Sequence, residues 1–228
     1  MKALLLAAGY GSRLRPLTNT VPKCLVPIKG KPLLGIWLER LTKIGIGPFL
    51  INTHYLSREV ENFIENSDFN KQVTLVHELE LKGTAGTLIE NLDFFQGEGG
   101  LVIHADNFCL ADFSAFLKAH QNRPPDCLMS MMTFRTKTPS LCGIVELDKR
   151  NIVIDFHEKI SNPPSNLANS AIYILTPELM KILDKEMKFV KDFSLEVIHQ
   201  FIGRIYSYET KELFYDIGTP EEYLKANQ

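Results

Sequence analysis

The first 110 residues alternate short apolar runs with segments of helical spacing, and this alternation strongly limits the fold. Apolar and β-branched residues cluster at residues 2–8, 49–54, 73–78 and 101–106. Between the first two runs, apolar residues recur at the three- and four-residue spacing of a helix with one buried face: Leu34, Trp37, Leu38 and Leu41. Strands that alternate with helices in this way are typical of an α/β fold with a parallel sheet.

The pattern changes after Asp112, which is placed to cap a helix. Closely spaced strands are then predicted at residues 127–134, 143–147, 152–157 and 171–176. Thr176-Pro177-Glu178 and Thr219-Pro220-Glu221-Glu222 each supply the cap, the proline and the acidic first turn of a helix start. We therefore predict one domain, residues 1–228, with a Rossmann-like α/β fold: a mixed, mainly parallel central sheet flanked by helices.

Positive charge is concentrated near the N-terminus, although the chain as a whole is slightly acidic. The formal net charge is -2, yet residues 1–32 hold six lysines and arginines, and the first acidic residue is Glu39. The same segment contains Ala7-Ala8-Gly9-Tyr10-Gly11-Ser12-Arg13-Leu14, a small-residue loop whose backbone N–H groups suit phosphate oxygens. We interpret it as an anion site, with a tight turn carrying solvated arginines as the alternative.

This loop matches neither of the common phosphate-binding motifs. The third glycine of a dinucleotide fingerprint would fall at Leu14, and the loop lacks the Gly-Lys-Ser/Thr ending of a Walker loop. The loop alone therefore does not identify a nucleotide-binding class.

Composition limits the partners and the chemistry. With a pI near 6.3, the chain has no global attraction for nucleic acid or for an anionic membrane. No run of about 18 apolar residues occurs, so neither a signal peptide nor a membrane span is expected. The four cysteines form no Cys-x-x-Cys pair and the six histidines lack zinc-site spacing. A cytoplasmic protein without covalent catalysis is expected.

The glycine loop and three later segments resemble one known family. Leu6 to Thr18, followed by Pro22-Lys23, is similar to the opening motif of the sugar-phosphate nucleotidylyltransferases. The later segments resemble the same family in the same order: Gly83-Thr84-Ala85-Gly86, Phe156-His157-Glu158-Lys159 with Leu167-Ala168-Asn169, and Tyr215-Asp216-Ile217-Gly218-Thr219-Pro220.

The resemblance covers nearly the whole chain and implies the nucleotidyltransferase variant of the Rossmann-like fold. It further implies an enzyme that makes an NDP-sugar and pyrophosphate from a nucleoside triphosphate and a sugar 1-phosphate. Residues 1–111 would form the nucleotide-binding half and residues 112–228 the sugar-phosphate-binding half. Homo-oligomerisation stays open, and no added β-helix domain of the kind that longer family members carry is expected.

The resemblance also implies roles for particular residues. The catalytic residues would be Arg13, Lys23 and Asp106. The nucleotide would be bound by Leu6, Ala8, Gly9, Gly11, Ser12, Arg13, Glu78, Gly83 and Thr84. The sugar 1-phosphate would be bound by Lys23, Gly143, Glu158, Lys159 and Asn169, and Mg²⁺ by Asp106 and Asp216.

Physical chemistry gives independent reasons for some of these roles. Asp106 ends the fourth apolar run and Asp216 ends the last predicted strand, so both are expected at the carboxyl edge of the sheet, where α/β folds bind ligands. Magnesium usually takes one or two carboxylates together with substrate phosphates. The alternative is that each aspartate caps a loop or helix, and the adjacent Glu158 and Lys159 could equally form an exposed ion pair.

The Gly-Thr-Ala-Gly turn and a likeness to short bacterial guanylyltransferases favour GTP with mannose 1-phosphate or a manno-heptose 1-phosphate, in cell-envelope polysaccharide synthesis. The carboxylate of Glu78 can only accept hydrogen bonds, which suits the N–H donors of guanine. Departures from the family pattern at His104-Ala105, Lys159-Ile160 and Leu81-Lys82 leave base and sugar open. UTP or dTTP with glucose or amino-sugar 1-phosphate, and CTP with phosphocholine, therefore remain alternatives.

Two alternatives come from other functional classes. One is a catalytically silent regulatory subunit that binds a nucleotide sugar, although the chain retains Arg13, Lys23, Asp106 and Asp216. The other is a nucleotide-sugar-dependent glycosyltransferase, against which Asp106-Asn107-Phe108 counts because it is not an Asp-x-Asp motif.

Overall fold

The computed structural model describes residues 1–228 and divides into two compact units. The first unit comprises residues 1–81, 103–110 and 213–228, and the second comprises residues 82–102 and 111–212. Both units are discontinuous in sequence. Residues 213–228 belong to the first unit and residues 82–102 to the second. The single domain predicted over residues 1–228, with halves meeting at residue 111, stays a prediction.

The secondary structure consists of strands and helices numbered here in chain order. The strands are β1 (Lys2–Leu6), β2 (Pro27–Ile28), β3 (Lys31–Pro32), β4 (Phe49–Thr53), β5 (Val73–His77), β6 (Gly100–His104), β7 (Asn107–Cys109), β8 (Met129–Arg135), β9 (Gly143–Leu147), β10 (Val153–Glu158), β11 (Leu167–Leu175), β12 (Ile205–Glu209) and β13 (Phe214–Asp216). The helices are α1 (Leu33–Thr42), α2 (Ser57–Glu65), α3 (Thr84–Glu90), α4 (Phe113–Gln121), α5 (Pro177–Glu186) and α6 (Pro220–Asn227).

In the first unit, β1, β4 and β5 form a parallel sheet, and β6 is the other neighbour of β1. β1 and β4 are buried along almost their whole length, as expected of central parallel strands. Helix α1 buries the stripe predicted from its spacing, and the Trp37 indole N–H donates to the backbone carbonyl of Asn107 at 2.9 Å. That bond ties α1 to the first residue of β7.

In the second unit, antiparallel pairs predominate: β8 with β11, β9 with β11, and β9 with β10. β12 pairs with β8 in parallel, and β6 is a neighbour of β11. The predicted Rossmann-like α/β fold, with a mixed central sheet flanked by helices, is confirmed.

The predicted helix starts are also confirmed. Asp112 accepts the Ala115 N–H at 3.0 Å, and Thr176 and Thr219 cap α5 and α6 through their side-chain oxygens. The helices are all too short or too polar to cross a lipid bilayer.

Candidate active site

The glycine loop leaves β1 at Leu6 and is shaped by Gly11. Gly11 has φ +61°, and a Cβ on it would lie 3.0 Å from both Lys23 Cβ and Thr18 Cγ2. The Thr18 hydroxyl donates to the Gly11 carbonyl at 2.7 Å and is completely buried. Gly11 is therefore fixed by its backbone conformation and by close packing. Gly9, Ser12 and Arg13 remain exposed, as a loop that receives an anion requires.

The predicted catalytic residues Lys23 and Asp106 and the predicted metal ligand Asp216 meet around the Lys23 ammonium. Lys23 Nζ lies 2.7 Å from Asp106 Oδ2 and 3.6 Å from Asp216 Oδ1. The lysine side chain is only 8% exposed, whereas the carboxylates are 37% and 51% exposed. A nearly buried cation thus faces two carboxylates that open to solvent.

Pairing of the short strands β7 and β13 brings the two aspartates together. The antiparallel register places Asp216 opposite Asn107, the residue that follows Asp106. The Phe108 and Tyr215 rings on the same ribbon stack, with their centroids 6.5 Å apart. Asp106 and Asp216 are 110 residues apart in sequence, so their proximity depends on this pairing.

The electrostatics favour an ionised aspartate and an unreactive thiol in this cluster. Burial would raise the pKa of Asp106, but the charges of Lys23 and His104 and the Lys23 hydrogen bond outweigh it and hold the pKa below its ordinary value. Burial, together with the Asp106 charge, raises the pKa of Cys24 to about 12. Cys24 is therefore a protonated core residue and no nucleophile.

Two charged side chains lie close to the backbone of Gly218, which explains why this position is a glycine. A Cβ on Gly218 would lie 2.8 Å from an Arg13 guanidinium nitrogen and 3.1 Å from Asp216 Oδ1. The Arg13 guanidinium and the Asp216 carboxylate therefore both lie against the bare backbone of this glycine. A side chain at residue 218 would displace one or both of them.

A buried hydrogen-bond chain links the glycine loop to Glu78. The Ala7 N–H donates to Asn52 Oδ1 at 2.7 Å, and Asn52 Nδ2 donates to Glu78 Oε1 at 2.9 Å. The side chains of Asn52 and Glu78 are both buried. Asn52 was not predicted as a site residue, because its only sequence signal is a polar residue inside the apolar run of β4.

A second connection reaches the backbone of Glu78 from the exposed side of the loop. His54 Nδ1 lies 2.7 Å from the Glu78 carbonyl oxygen, and His54 Nε2 lies 2.9 Å from the Tyr10 hydroxyl. The loop that begins at Ala7 and the end of β5 are thus joined twice. The sequence excluded His54 as a zinc ligand by its spacing but gave no signal of its part in this connection.

The Gly83-Thr84 turn in the second unit is in contact with the segment of residues 191–193. Gly83 has φ +81°, and a Cβ on it would lie 2.4 Å from the Lys191 carbonyl oxygen. That carbonyl accepts the N–H groups of Ala85 at 2.9 Å and Gly86 at 3.4 Å. Thr84 Oγ1 accepts the Phe193 N–H at 2.8 Å. The first N–H groups of α3 therefore bond to residue 191, and the role predicted for the turn in nucleotide binding stays a prediction.

The residues predicted to bind the sugar phosphate all lie in the second unit, apart from Lys23. A Cβ on Gly143 would lie 2.6 Å from Glu158 Oε2, so the Glu158 carboxylate packs directly over this glycine. Lys159 Nζ pairs with Glu158 Oε1 at 3.0 Å. Asn169 lies on β11 and donates from Nδ2 to the Tyr173 hydroxyl at 2.6 Å. Gly143, Glu158 and Lys159 thus form one group of contacts, with Asn169 on a neighbouring strand.

One further group of possible metal ligands lies on the hairpin of β9 and β10, away from the predicted aspartates in sequence. Ligand atoms of Glu146, Asp155 and His157 lie within 4.8 Å of one another. His157 Nε2 is 2.8 Å from Glu146 Oε1 and 3.6 Å from Asp155 Oδ2. This distance pattern is that of a histidine shared between two partly exposed carboxylates.

The fold, together with the cluster of Lys23, Asp106 and Asp216 in the first unit, indicates a class of protein. A glycine loop at the end of a parallel strand, with a guanidinium and an ammonium beside two carboxylates, is suited to an α/β protein that handles nucleotide phosphates. The chain belongs to the nucleotidyl transferase family, whose profile matches residues 2–228.

Curated relatives and solved structures agree with this family. The chain is 31% identical over 233 residues to mannose-1-phosphate guanylyltransferase catalytic subunit beta of Danio rerio, covering 98% of the chain and 63% of the relative. The chain spans about three fifths of the length of the curated relatives that it matches. For example, it covers 62% of the length of a relative from Sulfolobus acidocaldarius.

Two solved structures match nearly end to end. HddC from Yersinia pseudotuberculosis, complexed with GMP-PN, is 26% identical with a TM-score of 0.82, covering 99% of this chain and 97% of that one. A UDP-glucose pyrophosphorylase complexed with UDP-glucose is also 26% identical with a TM-score of 0.82, covering 99% of this chain and 96% of that one.

Proposed function

We propose that this chain catalyses nucleotidylyl transfer, forming an NDP-sugar and pyrophosphate from a nucleoside triphosphate and a sugar 1-phosphate. The observation that carries the proposal is the convergence of Lys23, Asp106 and Asp216 near the end of β6, with the Arg13 guanidinium against Gly218 beside Asp216. The family and its named sugar-phosphate relatives support the same reaction.

Charge neutralisation is the main chemical demand of this reaction. A sugar phosphate dianion must approach a triphosphate, and each pair of like charges 4 Å apart costs about 4 kcal/mol at an effective dielectric constant of 20. Arg13 supplies a planar guanidinium suited to phosphate oxygens, and Lys23 a compact ammonium. We assign both to the triphosphate, with Lys23 at the reacting phosphate.

The proposed step is in-line attack of the sugar 1-phosphate oxygen on the α-phosphorus, with pyrophosphate as the leaving group. A phosphate monoester has its second pKa near 6, so the nucleophile is largely ionised at pH 7. The cluster therefore needs no general base. Its work is to orient the two reactants and to offset charge as the transition state forms.

We propose that Asp106 and Asp216 also hold Mg²⁺. The fit rests on their geometry. Both carboxylates face the same cation, the Lys23 ammonium, and both are partly exposed. Two carboxylates that leave room for phosphate oxygens and water suit magnesium. When bound, the ion would polarise the phosphate oxygens and offset their charge.

The sugar 1-phosphate is assigned to the second-unit residues. Glu158, over Gly143, would accept hydrogen bonds from sugar hydroxyls, Lys159 would pair with the phosphate, and Asn169 would contact the sugar. The Gly83-Thr84 turn and the Leu6 and Ala8 backbone are assigned to the nucleotide. A cytoplasmic location belongs to the same proposal, whereas homo-oligomerisation stays open.

For the substrate pair we favour GTP with mannose 1-phosphate or a manno-heptose 1-phosphate. The support is the buried Glu78 carboxylate, the curated mannose-1-phosphate guanylyltransferases and the GMP-PN complex of HddC. The UDP-glucose complex supports UTP with glucose 1-phosphate as the second candidate.

The test is pyrophosphate release, with Mg²⁺ present, across five nucleoside triphosphates and a panel of sugar 1-phosphates. The Lys23→Met variant serves as the control for contaminating activity. One productive combination that requires Lys23 is expected. A blank grid with retained binding of a nucleotide sugar would instead support the regulatory-subunit alternative and overturn the proposal.

A further inference from the structure

Asn169 is held in one orientation by its own strand. β11 has an irregularity in its register with β8 between Asn169 and Tyr173, and Ala171 within it has φ +57°. This irregularity turns the Ala171 N–H toward Asn169 Oδ1 at 2.9 Å, while Asn169 Nδ2 donates to the Tyr173 hydroxyl at 2.6 Å. A hydrogen bond at each end of the amide distinguishes its oxygen from its nitrogen.

The Tyr173 hydroxyl is a fixed anchor for that amide. Tyr173 is completely buried, and its ring packs on Phe193 with the centroids 4.6 Å apart. Burial raises the pKa of Tyr173 above its ordinary value, so the hydroxyl stays protonated at neutral pH.

The segment that carries Phe193 is itself anchored. The Glu196 carboxylate accepts the N–H groups of Lys191 and Asp192 at 2.8 and 2.7 Å. The Phe193 N–H donates to Thr84 Oγ1. Tyr173 therefore rests on the same segment that closes the Gly83-Thr84 turn.

We propose that Tyr173 is a positioning residue for the sugar 1-phosphate, acting through Asn169. This inference rests on the proposed function, in which Asn169 contacts the sugar. With the tyrosine hydroxyl present, only one rotamer of the amide satisfies both local bonds, and its remaining Nδ2 hydrogen points in a fixed direction. Without the hydroxyl, the amide loses the bond that holds its nitrogen and samples other rotamers.

The variant that isolates this role is Tyr173→Phe, which keeps the ring against Phe193 and removes only the hydroxyl. With GTP and mannose 1-phosphate, the KM for the sugar 1-phosphate is expected to rise about three- to tenfold, as for loss of one hydrogen bond. The KM for GTP should change less than twofold. Tyr208→Phe, on β12 with its ring 5.4 Å from Phe116, is the matched control and should leave both values unchanged.

A double-mutant cycle separates positioning from general loss of structure. If Tyr173 acts through Asn169, then Tyr173→Phe should have almost no further effect in the Asn169→Ala background. Equal and additive losses in both backgrounds, or a parallel rise in both KM values, would overturn the inference while leaving the proposed function intact. Absence of pyrophosphate release by the wild-type protein with every substrate pair would overturn both.

Discussion

Replacing Gly83 by alanine is expected to destabilise the protein strongly, whereas the same change three residues later is not. Gly83 has φ +81° and ψ 170°, a conformation that essentially only glycine adopts, and forcing another residue into it costs about 1–3 kcal/mol. The new Cβ would also lie 2.4 Å from the Lys191 carbonyl oxygen. That backbone would have to move away, weakening two hydrogen bonds of roughly 1 kcal/mol each.

These contributions predict a loss of about 3–5 kcal/mol in the free energy of unfolding for Gly83→Ala. Gly86→Ala is the matched control. Its Cβ would meet only ordinary contacts, the nearest being Lys82 Cβ at 3.4 Å. Because Gly86 is inside α3, alanine should stabilise the helix there by roughly 0.5–1 kcal/mol.

The assay is urea denaturation followed by far-UV circular dichroism. The single tryptophan, Trp37, is in the first unit, so its fluorescence would report mainly on that unit, whereas Gly83 is in the second. With a urea m-value of about 2–3 kcal/mol/M, the midpoint for Gly83→Ala should fall by more than about 1 M. Equal midpoints for the Gly83→Ala and Gly86→Ala variants would refute the reasoning from φ and the Lys191 contact.

The remaining predictions concern nucleobase preference, backbone strain and acid stability. Glu78→Gln should lower kcat/KM for GTP at least tenfold, about 1.4 kcal/mol, and raise the relative use of UTP, because an amide presents a donor where guanine needs an acceptor. An unchanged preference for GTP over UTP in the pyrophosphate-release assay would exclude a role of Glu78 in guanine recognition. Ala171→Gly should raise the free energy of unfolding by about 1 kcal/mol, since Ala171 has φ +57°, and a lower urea midpoint would contradict that. Burial, with the nearby Arg123 charge, lowers the pKa of His120 from 6.5 to about 4. The folded protein therefore favours neutral His120, and the full contribution of this residue to the free energy of unfolding is present above pH 6.5. That stabilisation, at most about 3 kcal/mol, should be lost as pH falls from 6.5 toward 4, and His120→Asn should flatten this part of the pH–stability curve; an unaltered curve would refute the assignment.

The parts of the fold that follow from local chemistry were predictable from the sequence. Asp112, Thr176 and Thr219 cap helices as expected, because a cap needs only a side-chain oxygen and the next three residues. The first four apolar runs each contain a strand, although β1 ends at Leu6 and not at residue 8. β11 begins at Leu167, earlier than the predicted start at residue 171.

The short strands could not be predicted, because distant pairing creates them. β2, β3 and β7 have two or three residues each, too few to show a periodic pattern, and β7 exists only through its pairing with β13. The five-residue strand β12 was also missed, and its parallel pairing with β8 joins residues more than 70 positions apart.

The same limit applies to the candidate site. Sequence motifs named Arg13, Lys23, Asp106 and Asp216, but not the 2.7 Å contact between Lys23 and Asp106. Nor did any local signal indicate that the Lys191 carbonyl closes the Gly83-Thr84 turn, because the partners are more than 100 residues apart. Motifs identify residue types that suit a reaction, whereas long-range packing determines which atoms meet.

The central claim is that the cluster of Lys23, Asp106 and Asp216 is the reaction centre. Its most direct test is the rate of pyrophosphate release from GTP and mannose 1-phosphate with Mg²⁺, comparing wild type with Asp106→Asn and with Asp184→Asn, an exposed control on α5. We predict that Asp106→Asn loses at least about 100-fold in kcat while it keeps the far-UV circular dichroism spectrum of the folded protein, and that Asp184→Asn is unaffected. Wild-type turnover by Asp106→Asn would contradict the account.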